Sequence, residues 1–460
     1  MIDVGSTSIR ASALTSSLEM VETFSLPFGL SRSTSASATF DPNEVAVTAR
    51  LLLDRLASRH CLESLAITNQ RASSVAFDPS QKVAYGTGLS WEDLRTATQC
   101  LALARSGLPL SPSESATKFV WLKEQVREEK MVFSTIDAWL TCYLTAEATV
   151  VTDHTNAAMT GLLDSYGTDY DPSRLEALGL ALGELAPIRP NYFHRGMVKV
   201  SGREIPLITT IADQQASLQG QKGPFKLTLG TSGVAQVELL ETTPRYLRRG
   251  PSGTFPIITI AGANGATFGL EAFWISAGSS LDWLERLGLI SSPAEALELA
   301  LAADRSKIPL VVPAFGGLGT PEWDFGARTS IANIAGGFSK HELAYGFLEG
   351  IAQAGACLLD SLAADAGVAY DSFGLDGKAG HNPLIAGLLA DLTGRSVLLS
   401  ATPEATTLGA ARIALALPRE ALPAETVVEP QQDRSARLAA WRGALATARN
   451  ALPALSAVKF

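Results

Sequence analysis

Asp3 stands two residues ahead of a glycine-led, hydroxyl-rich run, so that "DVGSTSIR" gathers Asp3, Gly5, Thr7, Ser8 and Arg10 into one short stretch. A compact Gly-Ser/Thr turn exposes consecutive backbone N–H groups and adds hydroxyl donors, which suits the oxygens of a phosphate. A second turn of this kind, Gly230, Thr231, Ser232 and Gly233 in "LGTSGVA", lies in the other half of the chain. Either alone is an ordinary turn; two of them between apolar segments point to a phosphate held between two halves. Asp213 ends the apolar run "PLITTIA" and is followed by Gln214. A carboxylate there suits a general base, and it equally suits a helix N-cap. Arg71 in "ITNQRASS" offers a planar fork to substrate hydroxyls or faces solvent. Trp91 in "LSWEDLRT" packs against a carbon chain or belongs to the core.

Other chemistries lack their motifs. There is no G-x-x-x-x-G-K-[ST], no G-x-G-x-x-G or G-x-S-x-G following a strand, and no H-E-x-x-H. His381, in "DGKAGHN", has no ligating neighbour and reads as incidental. Cys61, Cys100, Cys142 and Cys357 are scattered, which predicts reduced thiols rather than disulfides or a zinc site. The formal charge of −9 argues against a nucleic-acid surface. No apolar run reaches about 18 residues and no signal-peptide pattern is visible, so a soluble cytoplasmic protein is expected.

Periodicity supplies the elements that must hold these residues. Ile9, Ala11 and Ala13 alternate with Arg10, Ser12 and Leu14, predicting strands on either side of the Gly5 turn. "DPNEVAVTARLLLDRLAS" reads as a helix with proline near its start, and "SLAITNQ" as a buried strand ending in a polar loop. "SATKFVWLKEQV" and "STIDAWLTCYLT" have helical period. A second α/β unit begins near residue 223, where "GPFKLTLGTSGVAQVELL" repeats the opening strand–turn–strand layout. "EAFWISAGSSLDWLERLGL" and "HELAYGFLEGIAQAGACLLDSLAADAG" are expected to be helical. Gly346 and Gly350, four apart in the latter, would let a neighbouring backbone approach closely.

The motif order resembles the FGGY carbohydrate kinases, the group of glycerol kinase, xylulokinase and ribulokinase within the actin-like ATPase superfamily. The matching segments include "DVGSTSIR", "ITNQR", "WEDLRT", "SATKFVWL", "TDHTNAAMTGLLD", "ADQQASLQGQ", "LGTSG", "VPAFGGLGTPEWDFGAR" and "DGKAGHNPLIAGLLADLTG", in the family's sequence. The resemblance implies two actin-like (ribonuclease H-like) α/β domains around a central cleft. Residues 1–222 would carry the sugar site and base, and residues 223–460 the nucleotide site. It implies ATP and Mg²⁺ as cofactors, a small sugar or polyol as acceptor, no nucleic-acid or membrane partner, and it admits a homodimer. Asp3 and Asp213 would hold the metal, with Asp213 also the general base beside Gln214. Gly5, Thr7, Ser8 and Arg10 would face the ATP phosphates, and Gly230, Thr231 and Ser232 would form the second phosphate turn. Gly278, Gly377, Lys378 and Asn382 would line the nucleotide pocket, and Arg71 and Trp91 the sugar site. Ala72 and Ser113 stand where glycerol kinases have a glutamate and a tyrosine. A roomier acceptor pocket follows, and with it a polyol or ketose larger than glycerol. Xylulokinases carry a Met-His pair that "TNQRAS" lacks. Lys378 replaces a customary glycine, which leaves a catalytically weak sugar- or nucleotide-sensing protein as the alternative.

Overall fold

The computed structural model describes residues 1–126, 130–334, 336–400 and 404–458. In the first half, the turn at Gly5 separates strands β1 (Ile2–Val4) and β2 (Ser8–Leu14), and β3 (Met20–Pro27) completes an antiparallel meander. Helix α1 (Pro42–Ala57) begins where the Asp41 carboxylate accepts from the Asn43 and Glu44 N–H groups, with proline in its first turn. It buries Val45, Ala46, Ala49, Leu52, Leu53 and Leu56. Strand β4 (Leu65–Asn69) is buried throughout and lies parallel to β1. Strands β5 (Met197–Val200) and β6 (Arg203–Ala212) finish a six-stranded sheet of order β5–β6–β4–β1–β2–β3. Helix α2 (Ala116–Gln125) and α3 (Ile136–Leu144) form as their period predicts. On α3, Trp139 is fully buried, and its indole N–H donates to the Pro42 carbonyl at 2.7 Å.

Helix α4 (Asp213–Gln219) leads into the second half. There β7 (Phe225–Leu229), β8 (Gly233–Glu241), β9 (Phe255–Gly262) and β10 (Gly265–Trp274) form an antiparallel sheet, with β10 between β8 and β9. Strands β11 (Ser372–Asp376), β12 (Ser396–Leu399) and β13 (Thr426–Val428) extend it to the order β9–β10–β8–β7–β11–β12–β13. The pairing senses repeat those of the first sheet: β7 is antiparallel to β8 and parallel to β11, as β1 is to β2 and β4. Glu271–Trp274 corrects the expected helix. These residues belong to β10, paired on both edges, and the helix α5 (Ser279–Arg286) starts only after Gly278.

Helix α6 (Lys340–Ala366) opens on a Ser339/Glu342 capping box and closes at Gly367 in the left-handed region. Gly346 and Gly350 face the segment 309–313, where a Cβ on Gly350 would lie 2.4 Å from the Val311 carbonyl oxygen. By length and composition α6 is long and apolar enough to cross a membrane, but 83% of its apolar window is buried inside the protein. Helix α7 (Pro383–Thr393) follows β11. Helix α8 (Ala405–Ala414) crosses α4 backbone to backbone, since a Cβ on Gly409 would lie 1.8 Å from the Ala216 carbonyl oxygen. One on Gly220 would lie 2.1 Å from that of Ala405.

Candidate active site

Register explains why residues far apart in sequence meet. Val4 pairs with Asn69, and Asn69 with Ala212, across three neighbouring parallel strands. Asp3, Arg71 and Asp213 therefore emerge at one sheet edge, with β1 and β6 separated by about 10 Å, two strand spacings. Asp3 is buried, and Arg10 Nη1 lies 3.9 Å from its carboxylate and 2.5 Å from that of Glu404. Burial pushes the Asp3 carboxyl up to about 7; Arg10 opposes this, while Asp213 and Glu404 add to it. Asp213 opens α4 and takes the Gln214 N–H at 2.7 Å. Burial raises its pKa too, against Arg71, the Gln214 N–H and Lys226.

A cavity of about 410 Å³ opens beside Asp3, with neither Arg71 nor Asp213 in its lining. The first half contributes Asp3 and Arg10 to its wall. The second contributes Thr228, Asp376, Gly377, Lys378 and His381, with Glu404 and Thr406 at the start of α8. Gly377 has φ +84°, and a Cβ there would sit 2.6 Å from the Leu229 carbonyl oxygen, so no other residue fits this turn comfortably. The β1–β2 turn closes through the Gly5 N–H on the Ser8 carbonyl, with Thr7 exposed and Ser8 Oγ accepting from Arg10 Nε. The second turn closes through the Gly230 N–H on the Ser232 carbonyl. Thr231 is exposed, and Gly278 packs behind through its N–H on the Gly230 carbonyl. Asn382 has a structural task, its side chain accepting from the Leu384 and Ile385 N–H groups to cap α7.

His381 is not incidental. It lines the cavity, its Nδ1–H donates to the Gly377 carbonyl at 2.9 Å, and its Nε2 is buried without a partner among the described residues. Asp376, which the sequence does not single out, also lines the cavity. It accepts hydroxyl hydrogen bonds from Ser217 and Thr228. It stands at the end of a buried strand, the pattern that singled out Asp213.

Arg71, expected to offer its fork to a substrate or to solvent, is engaged within the protein. Its fork is taken by Glu271, with Nη1 and Nη2 at 2.6 and 2.8 Å from the two carboxylate oxygens. Only its Nε edge turns toward Asp213, at 3.8 Å. Gln214 is likewise engaged, since Lys226 Nζ donates to its carbonyl oxygen and its Oε1 at 3.2 and 3.0 Å. Burial pushes Lys226 down to about 8. Ala72 turns the chain after Arg71 with φ +58°, a conformation about 1 kcal/mol or more unfavourable for a residue with a Cβ. Its carbonyl accepts from Ser74 Oγ and Ser115 Oγ, which locks the bend and brings the Ser113 segment alongside. Half-buried Trp91 joins them, its N–H donating to Ser73 Oγ. Lys118, fully buried and pushed down to about 7 by burial, has the Ser113 carbonyl at 3.5 Å as its only hydrogen-bond partner among the described residues.

No group of three or more metal-ligating side chains occurs among the described residues. Mg²⁺ is commonly held by one or two carboxylates together with water and phosphate oxygens. Asp3 and Asp213, two under-compensated carboxylates at one edge, fit that manner of binding. A carboxylate at Asp213 is a group that can accept a proton, and the Arg10 guanidinium beside Asp3 brings positive charge to the cavity wall.

Comparison with known proteins places this arrangement. Residues 1–220 match the N-terminal domain model of the FGGY family of carbohydrate kinases, and residues 225–417 match its C-terminal domain model. Glycerol kinase of Bordetella pertussis is 32% identical over 397 residues, which cover 81% of this chain and 78% of that protein. Plasmodium falciparum glycerol kinase, solved with ADP, superposes with a TM-score of 0.86 at 22% identity, covering 100% of this chain and 98% of that one. A ligand-bound xylulose kinase from Lactobacillus acidophilus gives 0.83 at 20% identity, covering 99% and 98%. Both are likenesses of fold: two α/β domains of the actin-like kind.

Proposed function

Because the chain belongs to the FGGY family of carbohydrate kinases, we propose that it transfers the γ-phosphoryl group of ATP to a terminal hydroxyl of a polyol or ketose larger than glycerol. The convergence of Asp3 and Asp213 on one edge, beside a cavity walled by both halves, carries the proposal. Phosphoryl transfer needs positioning and charge neutralisation more than covalent help. Asp213 takes the proton of the attacking hydroxyl, and its raised pKa strengthens it as a base. Asp3 and Asp213 would hold Mg²⁺, which when bound neutralises charge on the phosphate oxygens. Arg10 and the N–H groups of the two turns address the phosphates, while Gly377, Lys378 and His381 wall the nucleotide. Residues 1–222 hold the acceptor and residues 223–460 the nucleotide.

Ala72 and Ser113 support the larger acceptor, because neither places a carboxylate or phenol against a three-carbon polyol. The glycerol kinases among the relatives favour a second reading, glycerol itself. A coupled ADP-release assay over glycerol and longer polyols and ketoses decides between them by kcat/KM. We expect a longer acceptor to exceed glycerol; glycerol on top overturns the size assignment, and no turnover by folded protein overturns the kinase. Product NMR should show phosphorus coupled to a terminal carbon.

A further inference from the structure

The two residues flanking Asp213 in space, Arg71 and Gln214, are gripped from the other half of the molecule. Lys226 on β7, Gln236 on β8 and Glu271 on β10 are direct cross-strand neighbours, Lys226 opposite Gln236 and Gln236 opposite Glu271. All three are at most 1% exposed, so a buried polar row crosses the sheet. Most buried polar groups are paired, and this row pairs outward, with Gln236 Oε1 left without a partner among the described residues. Glu271 takes both prongs of Arg71, Lys226 takes both oxygens of Gln214, and Gln236 Nε2 braces Glu271 at 2.7 Å. A two-pronged guanidinium–carboxylate pair fixes orientation as well as distance. We propose that Lys226, Gln236 and Glu271 are a positioning row, through which the nucleotide-binding half sets Arg71 and Gln214 on either side of the catalytic base. The row acts through Arg71 and Gln214 and touches no substrate, a role that rests on the kinase function proposed above.

The pairing dictates which parameter moves. Glu271→Gln removes the charge that holds Arg71, and the KM for the acceptor is expected to rise by about tenfold or more. The KM for ATP is expected to stay within about twofold, since no substituted group faces the phosphate turns. Arg71→Lys keeps the charge, loses the fork, and should show the same split. In an Arg71→Ala background, Glu271→Gln should add nothing. Equal changes in both KM values, or full additivity with Arg71→Ala, overturn the proposal. Denaturation midpoints read the same coupling without activity. Once Arg71 is gone, Glu271→Gln should leave the midpoint unchanged or raise it, because it removes a buried carboxylate that has lost its cation and keeps only the Gln236 hydrogen bond; a further drop overturns the pairing. A wild type that turns over no acceptor therefore sinks the kinase assignment while the midpoints still judge the row.

Discussion

Asp3 and Thr228 occupy matching places, each two residues before the glycine of a phosphate-type turn, yet the carboxylate has changed strands. In the first half Asp3 on β1 stands opposite Thr68 on β4; in the second Thr228 on β7 stands opposite Asp376 on β11. Asp376 is satisfied by the hydroxyls of Ser217 and Thr228. The Thr68 hydroxyl, by contrast, has no partner among the described residues, and Asp3 is left with Arg10 at 3.9 Å and a pKa near 7. One scaffold thus carries two cavity-lining carboxylates in different settings. Asp376 is matched by two neutral hydroxyl donors, whereas Asp3 is under-compensated, the setting that suits the cation proposed for it.

Breaking the active edge should have the largest effect. Asp213→Asn is expected to lower kcat by about 10²–10⁴-fold, with nucleotide affinity measured by calorimetry little changed. Asp3→Asn should raise the Mg²⁺ concentration for half-maximal rate by about 10–100-fold. Asp376→Asn tests the other end: leaving the Ser217 and Thr228 hydroxyls imperfectly matched should destabilise the fold by about 1–3 kcal/mol in urea titrations. Asp3→Asn should instead stabilise the metal-free protein.

That contrast sharpens with pH. The Asp3 carboxyl rises from its ordinary 3.8 to about 7, so the folded state holds a proton that the unfolded chain releases between those values. Its contribution to stability is present at low pH and is lost as pH climbs from about 4 to about 7. The advantage of Asp3→Asn should therefore be absent below pH 4, grow through this window and level off above 7. Thermal melts without metal measure it, and added Mg²⁺ should erase it in the presence of nucleotide. The smallest effect belongs to Thr228→Val, which removes one of the two hydroxyls on Asp376 and should destabilise by about 1 kcal/mol.

The duplication behind this comparison was legible in the sequence, because both glycine turns sit between short apolar strands and both survive as strand–turn–strand units. Asp213 was legible as a carboxylate ending an apolar run. Glu271 was not: β10 is paired on both edges and largely buried, so its residues lack the alternation that marks a half-exposed strand. Lys226, Gln236 and Glu271 come from three strands, and only register makes them a row. Arg71 was found by type, but its fork could not be assigned to Glu271, 200 positions away, before the halves were docked. His381 lacked any sequence neighbour of matching chemistry, and only the fold shows that it lines the cavity.

The glycine crossing of α4 and α8 has a mechanical consequence. Ala216 lies three residues into the helix that begins at Asp213, about 4.5 Å along its axis, and Gly409 lies four residues beyond the start of α8. The backbones touch directly there, the Ala216, Ala410 and Ile413 side chains pack beside them, and Arg412 of α8 donates to the carbonyl and Oε1 of Gln219. Glu404 and Thr406, which line the cavity at the start of α8, are thereby held in fixed register with the helix that Asp213 opens.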